Sequence, residues 1–147
     1  MERLLFECPV ASDVEAVKNG FNLDLFKELA PPLIQFKVDR FDGCSPGDEV
    51  HIRVGLGVMV KWISEITEEV SNADQEWYFI DEGVKMPFPL VKWKHIHRVV
   101  KSDQGSTIID DINFSCGNSI TDKIMRPILK KQFSGRAAIY KKVFGSP

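Results

Sequence analysis

No apolar run in this chain approaches the ~20 residues that a membrane-spanning helix needs, which argues against a bilayer-embedded protein. The stretch Met1-Glu2-Arg3-Leu4-Leu5-Phe6-Glu7 lacks the apolar core of a secretory signal. Cysteine is scarce and odd in number. Cys8, Cys44 and Cys116 show no metal-site spacing, so reduced thiols in a cytoplasm are the simplest reading and set the expected location. There is no basic excess either. Nineteen Lys and Arg against 21 Asp and Glu give a net charge of -2, which argues against nucleic acid as a partner, because phosphate binding needs clear positive charge. Linkers, repeats and low-complexity segments are missing, so residues 1–147 read as one domain, long enough to bury about two thirds of its unfolded surface. No serine or cysteine stands in a nucleophile motif, and no cofactor or metal is expected.

What the sequence does have is a pair of histidines in an alternating run, Val91-Lys92-Trp93-Lys94-His95-Ile96-His97-Arg98-Val99-Val100. Successive strand side chains point to opposite faces, so Val91, Trp93, His95, His97 and Val99 share one face while Lys92, Lys94 and Arg98 share the other. The histidines therefore look inward. Each ring nitrogen then needs a partner. After the turn Ser102-Asp103-Gln104-Gly105, a second alternating run places Ile108, Asp110, Ile112, Phe114 and Cys116 on one face. A tight turn makes the two strands antiparallel neighbours, and Asp110 reaches the histidines if the register allows.

Elsewhere the pattern reads as follows. Arg3 to Cys8 is a strand closed by Pro9, and Ser12 with Glu15 is a capping-box signature opening a helix that stops near Gly20. Asn22 caps a second short helix, and Pro31-Pro32 force the chain extended. Strand periodicity then runs through Ile34, Phe36 and Val38, through Val50, Ile52 and Val54, through Val58, Val60, Trp62, Ser64 and Ile66, and through Glu76 to Glu82. Met86-Pro87-Phe88-Pro89 cannot sit in a central ladder and forms a loop at one end of the sheet. From Thr121 to Phe144, Ile124, Ile128, Phe133, Ala137, Tyr140 and Phe144 recur near helical spacing. Pro127 is tolerable there in a first turn, and Gly135 weakens or bends the middle. The fold class is α+β: a seven-stranded antiparallel sheet covered by a long C-terminal helix, with two short helices after the first strand. A curved sheet under a helix leaves a gap, and that gap is the expected binding site.

The order of elements resembles the helix-grip fold of the START, birch-pollen-allergen and polyketide-cyclase superfamily. The local motifs that carry the resemblance are Pro46-Gly47-Asp48, Trp62 with Ile66, Phe79-Ile80-Asp81, Met86-Pro87-Phe88, Trp93-Lys94-His95-Ile96-His97, and Thr107 with Asp110, Ile112 and Phe114. They are similar to a bacterial subgroup with a Pro-Phe, Trp-x-His-x-His and Asp-x-Val/Ile-x-Phe/Tyr series. One departure is Cys116-Gly117-Asn118, where the subgroup often has Pro-x-Gly before the last helix. The resemblance implies a cavity under the helix that takes lipids, sterols, polyketides or hormones, with some members acting as cyclases or aromatases and a few as chaperone cofactors.

The inward polar set supports three readings. His95, His97 and Asp110 are a satisfied structural cluster that orients a ligand or none, a proton-transfer site working on a bound ligand, or three ligands for a metal. The aromatic side chains Trp62, Phe79, Phe88, Trp93, Phe114, Phe133 and Tyr140 are either cavity lining or core. The preferred function is binding of a hydrophobic small molecule with a polar head, with Trp62, Phe79, Phe88, Trp93, Phe114, Phe133, His95, His97 and Asp110 as ligand contacts. The alternatives are a cyclase, aromatase or dehydratase in which His95, His97 and Asp110 are catalytic, and a protein-interaction or chaperone-associated domain. Seven basic residues against Asp122 between Ser119 and Pro147 also suggest transient contact of the C-terminal helix with anionic membrane.

Overall fold

The computed structural model describes residues 1–31 and 34–147. The expected extended segment at Pro31-Pro32 lies partly outside the described residues. The described elements are β1 (Glu2–Val10), α1 (Val14–Gly20), α2 (Leu23–Glu28), β2 (Gln35–Phe41), β3 (Glu49–Leu56), β4 (Val58–Asn72), β5 (Glu76–Lys85), β6 (Lys92–Ser102), β7 (Gly105–Ser115), α3 (Ser119–Ser134) and α4 (Arg136–Phe144). The seven strands form one antiparallel sheet in the order β1-β7-β6-β5-β4-β3-β2. This is the helix-grip fold, with α3 and α4 forming one long, bent C-terminal helix. No helix among the described residues is long and apolar enough to cross a membrane.

Alternation explains the middle of the sheet. Trp93, His95, His97 and Val99 are buried on β6, and Ile108, Asp110, Ile112 and Phe114 on β7. Gly105 makes the connecting turn possible: its φ is +143°, and a Cβ there would lie 2.3 Å from the Val10 carbonyl oxygen. β1 runs past Pro9 to Val10, where the expectation ended it at Pro9. It is an edge strand, so the missing N–H of Pro9 breaks no ladder. Ile34 lies just before β2, and Val91 lies outside β6, exposed rather than inward. Val58 and Val60 are exposed as well, because at that end β4 pairs with β3 alone and runs past the end of β5.

The helices show three further corrections. Asp13, not Ser12, caps α1, accepting from the Ala16 N–H at 2.8 Å. Ser12 is taken by the tail: its N–H and Oγ both donate to the Phe144 carbonyl, at 3.0 and 2.8 Å. Asn22 caps α2 as its sequence implies. Pro127 sits in the interior of α3, not in its first turn, on an exposed face where the freed carbonyl can meet water. The inward stripe of α3 is also different from the expected one. Asp122, Met125, Leu129 and Phe133 turn toward the sheet, while Ile124 and Ile128 are exposed.

Packing gathers into two clusters. One joins Val10, Val14, Val17, Trp77, Val99, Ile108, Tyr140 and Phe144; the other joins Leu4, Leu90, Trp93, Ile112, Phe114 and Leu129. Each fully buried large side chain contributes about 1.5–3 kcal/mol. Between the clusters lies the polar group of β6, β7 and the helix bend.

Candidate functional site

A cavity of about 240 Å³ lies between the sheet and the bent helix. Its walls are mainly apolar: Phe26, Phe36, Val50, Ile52, Trp62, Phe79, Trp93, Leu129 and Phe133 contribute, and Phe21 closes the side next to α1. Trp62 and Trp93 meet edge to face at 4.9 Å, and Trp93 lies 5.9 Å from Phe133. Ser64, Asp81, His95, His97 and Arg136 gather at one pole of the space, and Asn22 and Gln132 also line it.

The register of β6 and β7 builds the centre of that pole. His97 stands opposite Asp110, and His95 one pleat further along. His95 Nε2 lies 2.7 Å and His97 Nδ1 2.9 Å from Asp110 Oδ1. The helix bend supplies two more partners: Tyr140 Oη donates to Oδ2 at 3.0 Å, and Arg136 Nη1 to Oδ1 at 3.3 Å. Arg136 also packs over the Phe133 ring at 4.3 Å. Burial works against an ionised Asp110, but Arg136, His97 and His95 outweigh it and hold the carboxyl well below its ordinary range. An ionised carboxylate only accepts, so both histidines donate to it. Burial pushes His97 down, against the pull of Asp110, so its imidazole is neutral at neutral pH. Its Nε2 is then a bare acceptor with no partner among the described residues.

Asp81 is the residue that sequence reasoning missed. It faces His95 across the β5–β6 ladder and lines the cavity, and its Oδ1 has no hydrogen-bond partner among the described residues. Burial pushes its carboxyl up, against the opposing pull of His95, Ser64 and Arg136. Its signal was present in Phe79-Ile80-Asp81, because Asp81 shares the face of Phe79. Arg136 was read as one of the basic residues on the outer helix surface. Its position three after Phe133 and four before Tyr140 puts it on the inward stripe instead.

The structure places Trp62, Phe79, Phe88, Trp93, His95, His97 and Phe133 around the cavity. Two expected contacts are not there. Phe114 is fully buried in the core beside Ile112, and Asp110 lies behind the histidines rather than on the cavity wall. Asp110 faces a second space of about 270 Å³, between β1 and the helix bend, together with Cys8, Arg136 and Tyr140. The ligand atoms of His95, His97 and Asp110 lie within 4.8 Å of one another, which a metal would require. The guanidinium 3.3 Å from Asp110 opposes a further cation there. His51 is elsewhere, on β3 beside Glu49 at 3.1 Å. Burial pushes the cavity thiol of Cys44 up to about 12, so it is not a thiolate nucleophile.

No protein-family model matches this chain, and no curated protein does. Solved structures do. Protein CV1439 from Chromobacterium violaceum superposes with a TM-score of 0.71 at 12% identity over 100% of both chains. Ara h 8.0201 gives 0.65 at 14% identity, over 99% of each chain. The di-domain ARO/CYC StfQ from the steffimycin biosynthetic pathway gives 0.67 at 13% identity, over 97% of this chain and 50% of that one. At such identities the likeness shows the shared helix-grip fold alone, and function has to be argued from the site.

Proposed function

We propose that the protein binds a hydrophobic small molecule with one polar head, lipid-, isoprenoid- or polyketide-like, in the cavity between the sheet and the C-terminal helix. The observation that carries this reading is the segregation of the cavity wall: aromatic and aliphatic side chains around most of it, and Ser64, Asp81, His95, His97 and Arg136 at one pole. Such a wall favours an apolar body by burial and orients it through a few polar contacts. Filling the site also supplies partners for two atoms that lack them, His97 Nε2 and Asp81 Oδ1. Because Trp62 and Trp93 stand in the wall, a bound ligand should change tryptophan emission. The test is native mass spectrometry of gently purified protein, followed by fluorescence titration with whatever is released. A retained adduct that quenches or shifts emission on re-addition is the expected result. A protein that carries no adduct and shows no tryptophan response to a panel of fatty acids, sterols, isoprenoids and aromatic polyketides would overturn the reading.

A second reading rests on the same pole. The environments of Asp81 and His97 move in opposite senses, toward a protonated acid and a neutral base, which is how acid and base roles are divided in enzymes. That arrangement fits proton transfer on a bound ligand, as in a cyclisation or dehydration. Turnover of a polyketide-like substrate with a bell-shaped pH profile, lost in Asp81→Asn, would favour it over simple carriage.

A further inference from the structure

The most exposed of the large apolar side chains lie at one end of the sheet, where Phe88 of the cavity lining also stands in water. The ladder registers put the β3–β4 turn, the β5–β6 loop and the β7–α3 junction at the same end of the sheet. Leu56 and Val58 at the first are 76% and 78% exposed, Phe88 at the second is 96% exposed, and Ile120 at the third is 72% exposed. Ile120 continues into Ile124 and Ile128, spaced by four along one flank of α3. On the opposite flank Arg126 bonds Glu2 and the Arg3 carbonyl of β1. The isoleucines, two positions away from Arg126 and so about half a turn round the helix, therefore face away from β1. Each of Ile124 and Ile128 directly precedes a residue that lines the cavity, Met125 and Leu129. The isoleucine flank is thus one lip of the mouth, and Phe88, itself part of the cavity lining, stands on another.

Charge is gathered at the same place. Residues 56–61, 84–94 and 117–131 hold eight basic residues and one acidic, Asp122, which is buried. The remainder holds eleven basic and twenty acidic, so the two parts carry +7 and -9. Exposed apolar tips ringed by lysine are what an anionic bilayer surface receives: the tips enter the headgroup boundary while the cations meet the phosphates.

We propose that the rim formed by Leu56, Val58, Phe88, Ile120 and Ile124 docks the cavity mouth onto an anionic lipid bilayer. The region is the first half of the C-terminal helix together with two sheet turns. The second half lies outside it: Phe144 and Gly145 are held by Ser12 and Ala11, past the opposite end of β1, and Arg136 is turned inward onto Asp110. Docking places the opening where an apolar ligand can pass between membrane and cavity without crossing water. The surface does not depend on the cavity being filled, so it goes beyond the ligand-binding reading and can fail separately from it.

Co-sedimentation with vesicles of phosphatidylcholine containing phosphatidylglycerol, against vesicles of phosphatidylcholine alone, tests the inference. Expected is binding to the anionic vesicles that weakens with added salt and falls about tenfold in Phe88→Ser and again in Ile124→Ser. Val143→Ser, an exposed apolar position at the end of α4 held beside Ser12 and Ala11 at the opposite end of the sheet, serves as the control and should bind as wild type. Unchanged melting temperatures establish that the variants are folded. Absence of binding to either vesicle, or equal binding by Phe88→Ser and wild type, overturns the proposal. So does a concentration-dependent dimer that Phe88→Ser abolishes in the absence of vesicle binding, since the rim would then be a contact between copies of this chain. Tryptophan titration of Ile124→Ser, which lies outside the cavity lining, with soluble fatty acid keeps the two readings apart: affinity as in wild type with vesicle binding reduced is the expected result.

Discussion

His97 and Asp110 stand opposite each other on β6 and β7, joined by a 2.9 Å contact from Nδ1 to Oδ1, and both side chains are almost wholly buried. The bond fixes more than the two residues. It leaves His97 Nε2 as the end of a chain that begins at Arg136 and Tyr140 in the helix bend and passes through the carboxylate to the cavity. Asp110 is therefore the point where sheet and helix are tied together.

Removing that point should be costly. In Asp110→Ala, Arg136 keeps its buried charge without its partner and both histidines and Tyr140 lose their acceptor. A loss of about 3–5 kcal/mol is expected. Urea unfolding of wild type and variant measures it. A change below about 1 kcal/mol would mean that the pairing is solvated and weak.

Replacing both histidines separates structure from function. His95→Phe with His97→Phe roughly keeps aromatic volume, and Asp110 still has Arg136 and Tyr140. If the histidines orient a ligand head, affinity should fall by about 1–3 kcal/mol with the fold intact. If they are catalytic, binding should persist while turnover drops about 100-fold or more. Normal affinity with a lowered melting temperature would defeat both functional roles.

The central strands were legible because their alternation is uninterrupted: Trp93 to Val99 and Ile108 to Phe114 show one buried face each, and the histidine–aspartate meeting follows from one tight turn. β4 and β5 were harder. Val58 and Val60 share the inward phase of Trp62 and Ser64 in an unbroken ladder with β3, but they lie beyond the end of β5, where alternation says nothing of the missing cover, and the inward place of Asp81 shows only through its phase with Phe79. The helix misled for a different reason. Its inward side faces a partly polar cavity, which takes Gln132 and Arg136, and at its start Asp122 is buried against the Cys116 N–H, while Ile124 and Ile128 are left outside. Hydrophobic periodicity finds the face that meets a dry core, and here the most apolar flank is not that face.

Stability should decline as the solution is made mildly acidic. His97 is held neutral by burial, so its folded pKa lies below the ordinary value near 6.5. As pH falls through about 6.5, the unfolded chain takes up a proton that the folded protein refuses, and stability drops until the depressed value is reached. A second decline follows below about pH 4, where the unfolded form of Asp110 is protonated before the folded one. Unfolding curves of wild type and His97→Gln between these limits test the first step. The variant should be flatter there, and parallel curves would show that His97 is not the group responsible.

Gly135 joins α3 to α4 with φ -74° and ψ -13°, a helical conformation open to any residue, and a Cβ there would meet nothing within 4 Å. Gly135→Ala should therefore stabilise by about 0.4–1 kcal/mol, mostly by restricting the unfolded chain. A rise in melting temperature with unchanged ligand affinity is expected. A loss of stability would show that the bend needs the conformational freedom of glycine.

Asp81 links the two properties, because a carboxyl at the cavity wall with an unpartnered oxygen is poor for stability and useful for binding. Burial raises its folded pKa above the unfolded value near 3.9. Between those two values the folded protein keeps a proton that the unfolded chain has released, so stability falls as pH rises through the window and the penalty is complete above it. Asp81→Asn has nearly the same size and no charge to bury. The variant should match wild type near pH 4 and become the more stable of the two as pH rises toward neutral. Its amide can still donate to a ligand oxygen, whereas Asp81→Leu cannot, so ligand affinity should fall more in the leucine variant than in the asparagine one. A stability difference that does not change with pH would mean that Asp81 is ionised and partnered in the folded protein. The polar pole of the cavity would then carry negative charge and select a cationic head instead of a neutral one.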